Sequence, residues 1–355
     1  MTIQQLQTIT QNFLQELNDA QSGKKTSLAF LRNYIPTPFV KNGETFQVLV
    51  VGGSICRNVL MKKEEGKLTI LSHTEKDQPV FHTVADFLGF IEREIDKTTT
   101  YVALNFAFPL QPTVRDGKLD GILLYGTKEH TFDGLQGKKV GETVEQHMQK
   151  TTGKTIHICV ANDTICLLLS GRVDHTWDEL GCAIVGTGYN AAFFLTEHEA
   201  VNLEGGGFDK LPKDVIEEEI DRTSLQPGMQ VFEKQVSGAY LYKYFNLLLK
   251  EKGVSYPEIT TTKALDDLAR EDNEISVYAK EVLEKSAQLA ACQIAGIAAY
   301  QKSNLFFVIE GSLFWKGYLY KETVEETLKK ISPDYQITFI QVENSSVIGA
   351  AKLIA

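Results

Sequence analysis

Val160-Ala161-Asn162-Asp163-Thr164, followed further along by Gly186-Thr187-Gly188-Tyr189-Asn190, marks two points where an apolar run stops and small or polar residues begin. In open α/β sheets such points are the carboxyl ends of strands, where chemistry is presented. The first piece offers a carboxylate that can act as a base. The second offers a glycine turn whose amides can approach an anion closely, with a threonine hydroxyl as a further donor. Residues 155–160 read as the strand that delivers Asn162 and Asp163, and 165–169 as a short apolar helix, so Asp163 falls at a strand-to-helix junction. A plain N-cap aspartate is the competing reading there. Residues 182–185 and 191–195 flank the Gly-Thr-Gly turn as a hairpin.

On the amino-terminal side, Ile3, Leu6, Ile9, Phe13 and Leu17 recur at helical spacing, predicting an amphipathic helix that ends before Ser22-Gly23. Residues 27–34 predict a short helix cut off by Pro36 and Pro38. Residues 46–51 are apolar and β-branched, Gly52-Gly53-Ser54 makes a turn, and 58–62 and 68–72 continue a meander. Thr83 can cap a helix with Val84, Phe87, Leu88, Ile91 and Ile95 on its apolar face, ahead of a buried strand at 101–106. A polar insert is expected at 109–126, then loop and helix over 133–148; alone, Lys128 reads as a solvated lysine.

On the carboxyl-terminal side, Pro227-Gly228 is a turn and Glu233 starts a helix. The alanine-rich stretch 282–300, with Gly296, predicts a helix packed closely on a sheet. Residues 305–309 form a strand ended by the third glycine turn, Glu310-Gly311-Ser312, and a last strand (335–342) and small-residue helix (347–354) close the chain.

A chain of 355 residues is long enough for about two domains. With 46 acidic and 36 basic residues, its net charge of -10 argues against a general nucleic-acid or anionic-membrane binder. Residues 1–19 lack the basic and apolar regions of a secretory signal, and no run has the length of a membrane span. Five cysteines without a Cys-x-x-Cys pair fit a reducing, cytoplasmic setting, and no Cys/His spacing suggests a metal site.

In order, the short motifs resemble the eukaryotic-type hexokinase family of the actin-like, ribonuclease-H-like superfamily. They read Gly52-Gly53-Ser54, Phe106-Ala107-Phe108-Pro109, Thr127-Lys128, Asn162-Asp163-Thr164, Gly186-Thr187-Gly188-Tyr189-Asn190 and Asn202-Leu203-Glu204-Gly205-Gly206. Pro227-Gly228-Met229-Gln230-Val231-Phe232-Glu233-Lys234, Glu310-Gly311-Ser312 and Gly349-Ala350-Ala351 complete the series. The resemblance implies a two-lobed α/β fold with a central cleft, residues 46–161 plus 343–355 forming the small lobe and 1–45 plus 162–342 the large one. It implies a hexokinase-type kinase that moves the ATP γ-phosphoryl group to a hexose 6-hydroxyl, with glucose as the first choice of hexose. Asp163 would be the general base, and Phe108, Thr127, Lys128, Asn162, Asn190, Glu204 and Glu233 would bind the sugar. Gly52, Gly53, Ser54, Arg57, Gly186, Thr187, Gly188, Gly311 and Ser312 would surround the phosphates of ATP, which arrives with Mg2+.

Four departures bear on that implication. Val50 stands where the family has an aspartate that helps place magnesium, Ile55-Cys56 replace Asn-Phe, Ala107 replaces a serine, and Glu310 replaces an aspartate. The loss at Val50 supports an alternative expectation, a hexokinase-like sugar-binding or regulatory protein with weak or no catalysis.

Overall fold

The computed structural model describes residues 1–52, 54–127 and 129–355. Gly53 and Lys128, expected in the first phosphate turn and the sugar site, lie outside the described residues. The chain divides into two compact units, one of residues 1–30, 181–193 and 202–341, the other of 31–180, 194–201 and 342–355. The second is wider than the small lobe implied by the resemblance, since it also takes in 31–45, 162–180 and 194–201.

In the second unit, a five-stranded sheet runs in the order Lys67–Asp77, Ile55–Glu64, Thr45–Val51, Tyr101–Phe106, His157–Ala161. The meander half is antiparallel, as its short turns require, and the last three strands are parallel. Thr45–Val51 is buried from Phe46 onward and Tyr101–Phe106 from Val102, the pattern of strands covered on both faces. One covering layer is helical, with Phe87, Ile91, Val140 and Val144 joining Leu49, Leu104 and Phe106 in one apolar core. The Val84–Glu94 helix starts at Thr83 with a capping box to Asp86, as its sequence predicts.

Two expectations change here. Leu31–Tyr34 is a strand beside Glu199–Asn202, not a helix; its burial alternates with Asn33 inward, and Phe30 ahead of it has a left-handed φ of 47° that no helix continues through. The polar insert contains a hairpin, Leu110–Arg115 with Lys118–Leu123, closed by a turn at Asp116 and Gly117, both at positive φ.

The first unit carries the second glycine turn. Its sheet runs Tyr189–Thr196, Leu180–Val185, Leu305–Glu310, Ile337–Ile340, with the first pair antiparallel and the last parallel. The long helix Glu274–Gln301 packs among the helices Ile3–Gln21, Gly238–Glu251, Thr262–Ala269 and Tyr320–Ile331. Its small residues serve these helix contacts, and near its carboxyl-terminal end Tyr300 meets Phe193 of the sheet, ring centroids 5.2 Å apart. A Cβ on Gly296 would lie 2.5 Å from the Phe13 ring.

The terminal Gly-Ala-Ala motif acquires a structural reason in the second unit. Helix Ser345–Ala351 lies so close to helix Asp163–Ser170 that a Cβ on Gly349 would sit 1.6 Å from the Cys166 carbonyl oxygen. Gly349→Ala should therefore force the helices apart, with a cost of about 2–3 kcal/mol. Thermal unfolding should show a melting temperature lower by several degrees, and an unchanged value would contradict the contact.

Candidate active site

Within the second unit, the strand His157–Ala161 hands over directly to the helix Asp163–Ser170. Asn162 is the N-cap, its side-chain oxygen accepting from the Thr164 amide at 3.0 Å. The expected alternative of Asp163 as a plain cap is thus displaced by one residue. Asp163 is the first helical residue, half-buried, with Oδ1 accepting from the Thr164 amide at 2.7 Å and the Thr164 hydroxyl at 3.2 Å. The carboxylate is held in a fixed rotamer beside the amide-rich end of a helix.

Asn162 also donates toward the Phe108 carbonyl at 3.5 Å. The Phe108 ring itself is buried among Phe106, His130 and Phe132, so main chain rather than ring adjoins Asn162. The Ala107 amide donates to the Val51 carbonyl at 3.0 Å, tying the Phe106-Ala107-Phe108-Pro109 segment to the strand that enters the first phosphate turn. Thr127 is half-buried, and its carbonyl accepts from the His130 amide at 3.0 Å.

At the first turn, Gln78 donates its amide to the Ser54 carbonyl at 2.7 Å and its side-chain Nε2 to the Gly52 carbonyl at 2.6 Å. Arg57 is engaged by Glu75, directly opposite on the next strand, at 2.7 Å and by the Ser346 hydroxyl at 3.3 Å. Val50 is only 7% exposed and offers no oxygen. Among the described residues no cluster of three His, Cys, Asp or Glu side chains could hold a metal ion. The residues here do not build a magnesium site of their own.

Within the first unit the polar set converges tightly. Asn190 Oδ1 accepts from the Ala191 amide at 2.7 Å and the Gly205 amide at 3.1 Å. That fixes the amide group, whose Nδ2 donates to Asn202 at 2.9 Å and toward Glu204 at 3.5 Å. Asn202 in turn donates to Glu204 at 2.8 Å and accepts from its backbone amide at 3.2 Å. Glu204 has a φ of 48°, a left-handed conformation stored where the surrounding bonds over-determine it. Glu233 completes the set, accepting the Tyr189 amide at 3.0 Å. Asn202 belongs to the quoted Asn-x-Glu motif but had no role in the sequence reading; it is the residue that joins Asn190 to Glu204.

The glycine turns of this unit, expected to face phosphate, are held by backbone contacts. The Gly186 and Thr187 carbonyls accept from the Gly238 and Ala239 amides at 2.8 and 3.1 Å. Gly311, with φ 124°, brings the third turn against the second: a Cβ there would lie 2.1 Å from the Val185 carbonyl. Beside Gly186, Thr187 and Ser312 opens a pocket of about 600 Å³, lined also by Tyr242, Lys263 and Arg270. The sequence reading left this wall unassigned. Its helix, Thr262–Ala269, is signalled by the cap Thr261 and by buried Leu265 and Leu268 at helical spacing.

Two family models, both described as Hexokinase, match residues 1–173 and residues 180–276 with 257–355. The chain belongs to the hexokinase family. Hexokinase-3 of Rattus norvegicus is 23% identical over 99% of this chain, which spans 45% of that relative's length. Hexokinase-1 of Saccharomyces cerevisiae is 25% identical over 99% of this chain and 88% of its own. The solved hexokinase from Schistosoma mansoni complexed with glucose has a TM-score of 0.82 at 20% identity, covering 99% of this chain and 95% of that one. The shared architecture is the two-lobed actin-like α/β fold of hexokinases.

The hexokinase motif Pro-Gly-x-Gln-x-x-Glu-Lys has a load of its own to hold. Lys234, 4% exposed, reaches Asp221 at 2.5 Å and the Gln226 carbonyl at 2.8 Å, fastening the loop that carries Glu233. Burial alone would raise the Asp221 carboxyl, but hydrogen bonds from Lys234, the Gly228 amide and Lys213 hold it down to about 2. A depressed carboxyl contributes stability above its unfolded value and loses it as pH falls through the folded one. Acid unfolding followed by circular dichroism should show a component between about pH 4 and pH 2 that Asp221→Asn removes. At neutral pH Asp221→Asn should cost about 3 kcal/mol, since it leaves a buried ammonium without its counter-charge. Equal acid profiles for the two proteins would contradict this pairing.

Proposed function

We propose that this chain is an ATP-dependent hexokinase that phosphorylates the 6-hydroxyl of a hexose, with glucose as the first candidate. The observation that carries the reading is the Asn190, Asn202, Glu204 and Glu233 array. Two carboxylates and two carboxamides, locked by backbone amides, match the vicinal hydroxyls of a sugar in both donor and acceptor character. The glucose in the Schistosoma mansoni structure supports the choice of sugar.

In this reading Asp163 accepts the proton of the attacking 6-hydroxyl, while Asn162 and Thr127 help to hold the sugar. Amides of Gly52 and Ser54 and of the Gly186-Thr187-Gly188 and Gly311-Ser312 turns hold the nucleotide phosphates. The pocket beside Thr187 and Ser312 takes the nucleoside. Phosphoryl transfer asks a protein chiefly for positioning and neutralisation of charge, which these backbone donors supply. Magnesium would come with the nucleotide, whose phosphates supply the oxygens that Val50 lacks. A cytoplasmic location accords with five buried cysteines and with the absence, among the described residues, of a helix long and apolar enough to cross a membrane.

Buried Val50 favours one second reading, a hexokinase-like protein that binds sugar with weak or no turnover. A coupled assay across glucose, fructose, mannose and N-acetylglucosamine, with ATP and magnesium, separates the two; no sugar-dependent transfer would overturn the kinase reading. Asp163→Ala should lower kcat by roughly 10²- to 10⁴-fold while calorimetry shows glucose affinity within a few-fold of the parent, since the base acts mainly in the transition state. Parallel loss of both would remove Asp163 from that role. A large gain in magnesium-dependent rate on Val50→Asp would favour the second reading.

A further inference from the structure

On the sugar reading of Glu204 and Glu233, on which the role rests, we propose that Gln293 is a positioning residue: it anchors the glycine turn that sets the spacing of the two carboxylates. Gln293 is fully buried in the long helix Glu274–Gln301, among buried Ala290, Ala291, Cys292, Ile294 and Ala295. A carboxamide is out of character there, because a polar group in an apolar interior costs free energy unless it is hydrogen-bonded. Only one end of this one is bonded among the described residues. Nε2 donates to the Gly205 carbonyl at 2.8 Å, whereas buried Oε1 has no hydrogen-bond partner. An apolar side chain of similar size would avoid that orphaned acceptor. What glutamine supplies instead is the donor at Gly205.

That carbonyl sits at the junction of the set. Glu204 enters the turn Gly205–Gly207 with its left-handed φ of 48°, and the peptides that follow are tied to different partners. The Gly205 amide donates to Asn190 Oδ1 at 3.1 Å, and the Gly206 carbonyl accepts at 2.9 Å from the amide of Phe232, the residue before Glu233. Between those two ties lies the Gly205–Gly206 peptide. Besides the bond from Gln293, its carbonyl has one longer bond, 3.3 Å from the Phe208 amide. A planar peptide turns as a unit, so the bond from Gln293 sets the angle between the Glu204 end of the turn and its Phe232-Glu233 end. Packing is equally close: a Cβ on Gly205 would lie 2.7 Å from Gln293 Oε1, and one on Gly206 3.0 Å from the Glu233 Cβ.

The test is calorimetric titration of glucose and, separately, of AMP-PNP into the full chain and into Gln293→Met, Glu204→Gln and the double variant, with melting temperatures recorded alongside. Gln293→Met removes the donor and the orphaned acceptor together at nearly constant volume, so it should melt within a few degrees of the parent. It should bind glucose roughly tenfold more weakly, with AMP-PNP affinity within about twofold of the parent. The pocket assigned to the nucleoside lies in the same unit, so a general loosening of that unit would weaken both ligands alike. In the Glu204→Gln background the further loss from Gln293→Met should shrink to about twofold or less, because residues that act through one another are not additive. Gln293→Glu probes the same donor: buried beside a carbonyl, its carboxyl is held above the ordinary range and donates only while protonated. Its glucose affinity relative to the parent should therefore fall between about pH 6 and about pH 8. A folded Gln293→Met that binds glucose as the parent does would overturn the role. So would parallel loss of both ligands, fully additive losses in the double variant, or a flat pH profile for Gln293→Glu. Failure of the parent itself to bind glucose would instead overturn the sugar reading, and this role with it.

Discussion

A peptide N–H can be given to a phosphate only if the carbonyl bonded to it is satisfied elsewhere, because a buried backbone acceptor without a partner is costly. Two of the turns on which the nucleotide reading depends meet that constraint in the same way by different means. Behind Gly186 and Thr187, the first amides of the helix Gly238–Glu251 take up both carbonyls, and a helix start has such amides to spare. Behind Gly52 and Ser54 no helix begins, and one glutamine supplies both donors. The third turn, at Gly311, is fixed by steric closeness to Val185 instead.

The residues proposed to hold the sugar obey a related logic. Asn162, Asp163, Asn190 and Glu233 each accept a hydrogen bond from a nearby main-chain amide, which leaves few rotamers open. In Glu204 the backbone amide donates to Asn202 while the side chain accepts from Asn202, and the left-handed φ is the strained part of the arrangement. Such pre-organisation places polar atoms for a ligand before the ligand arrives.

Much of this was legible in the sequence because it is carried by local rules. The strand ends before Asn162 and Gly186, the Thr83 cap and the glycine turns all follow from patterns within a few residues. The order of the short motifs then pointed to the family. The misses share another cause. Leu31–Tyr34 becomes a strand because Glu199–Asn202, far along the chain, is there to pair with it. The long alanine-rich helix meets four other helices as well as the sheet because of topology, which its composition does not encode. Asn202 is joined to Asn190 across a turn of the chain and is unremarkable in type, so it did not stand out as a site residue.

Val50 shows how one substitution can separate the two halves of such chemistry. The strand around it is buried from Phe46 to Val51, and valine fits a pleated, two-sided core better than a carboxylate would. An aspartate there is a departure from that environment, kept only where a ligand rewards it. Its replacement removes an anion near the place assigned to bound phosphates, and with it both the ability to attract a cation and the repulsion of a polyanion. The backbone of the Gly186-Thr187-Gly188 and Gly311-Ser312 turns does not depend on it, and neither do the carboxylates and carboxamides of the proposed sugar set. On the proposed function, nucleotide affinity and cation dependence are therefore separable, with the first resting on backbone geometry and the second on whatever oxygens the nucleotide itself brings.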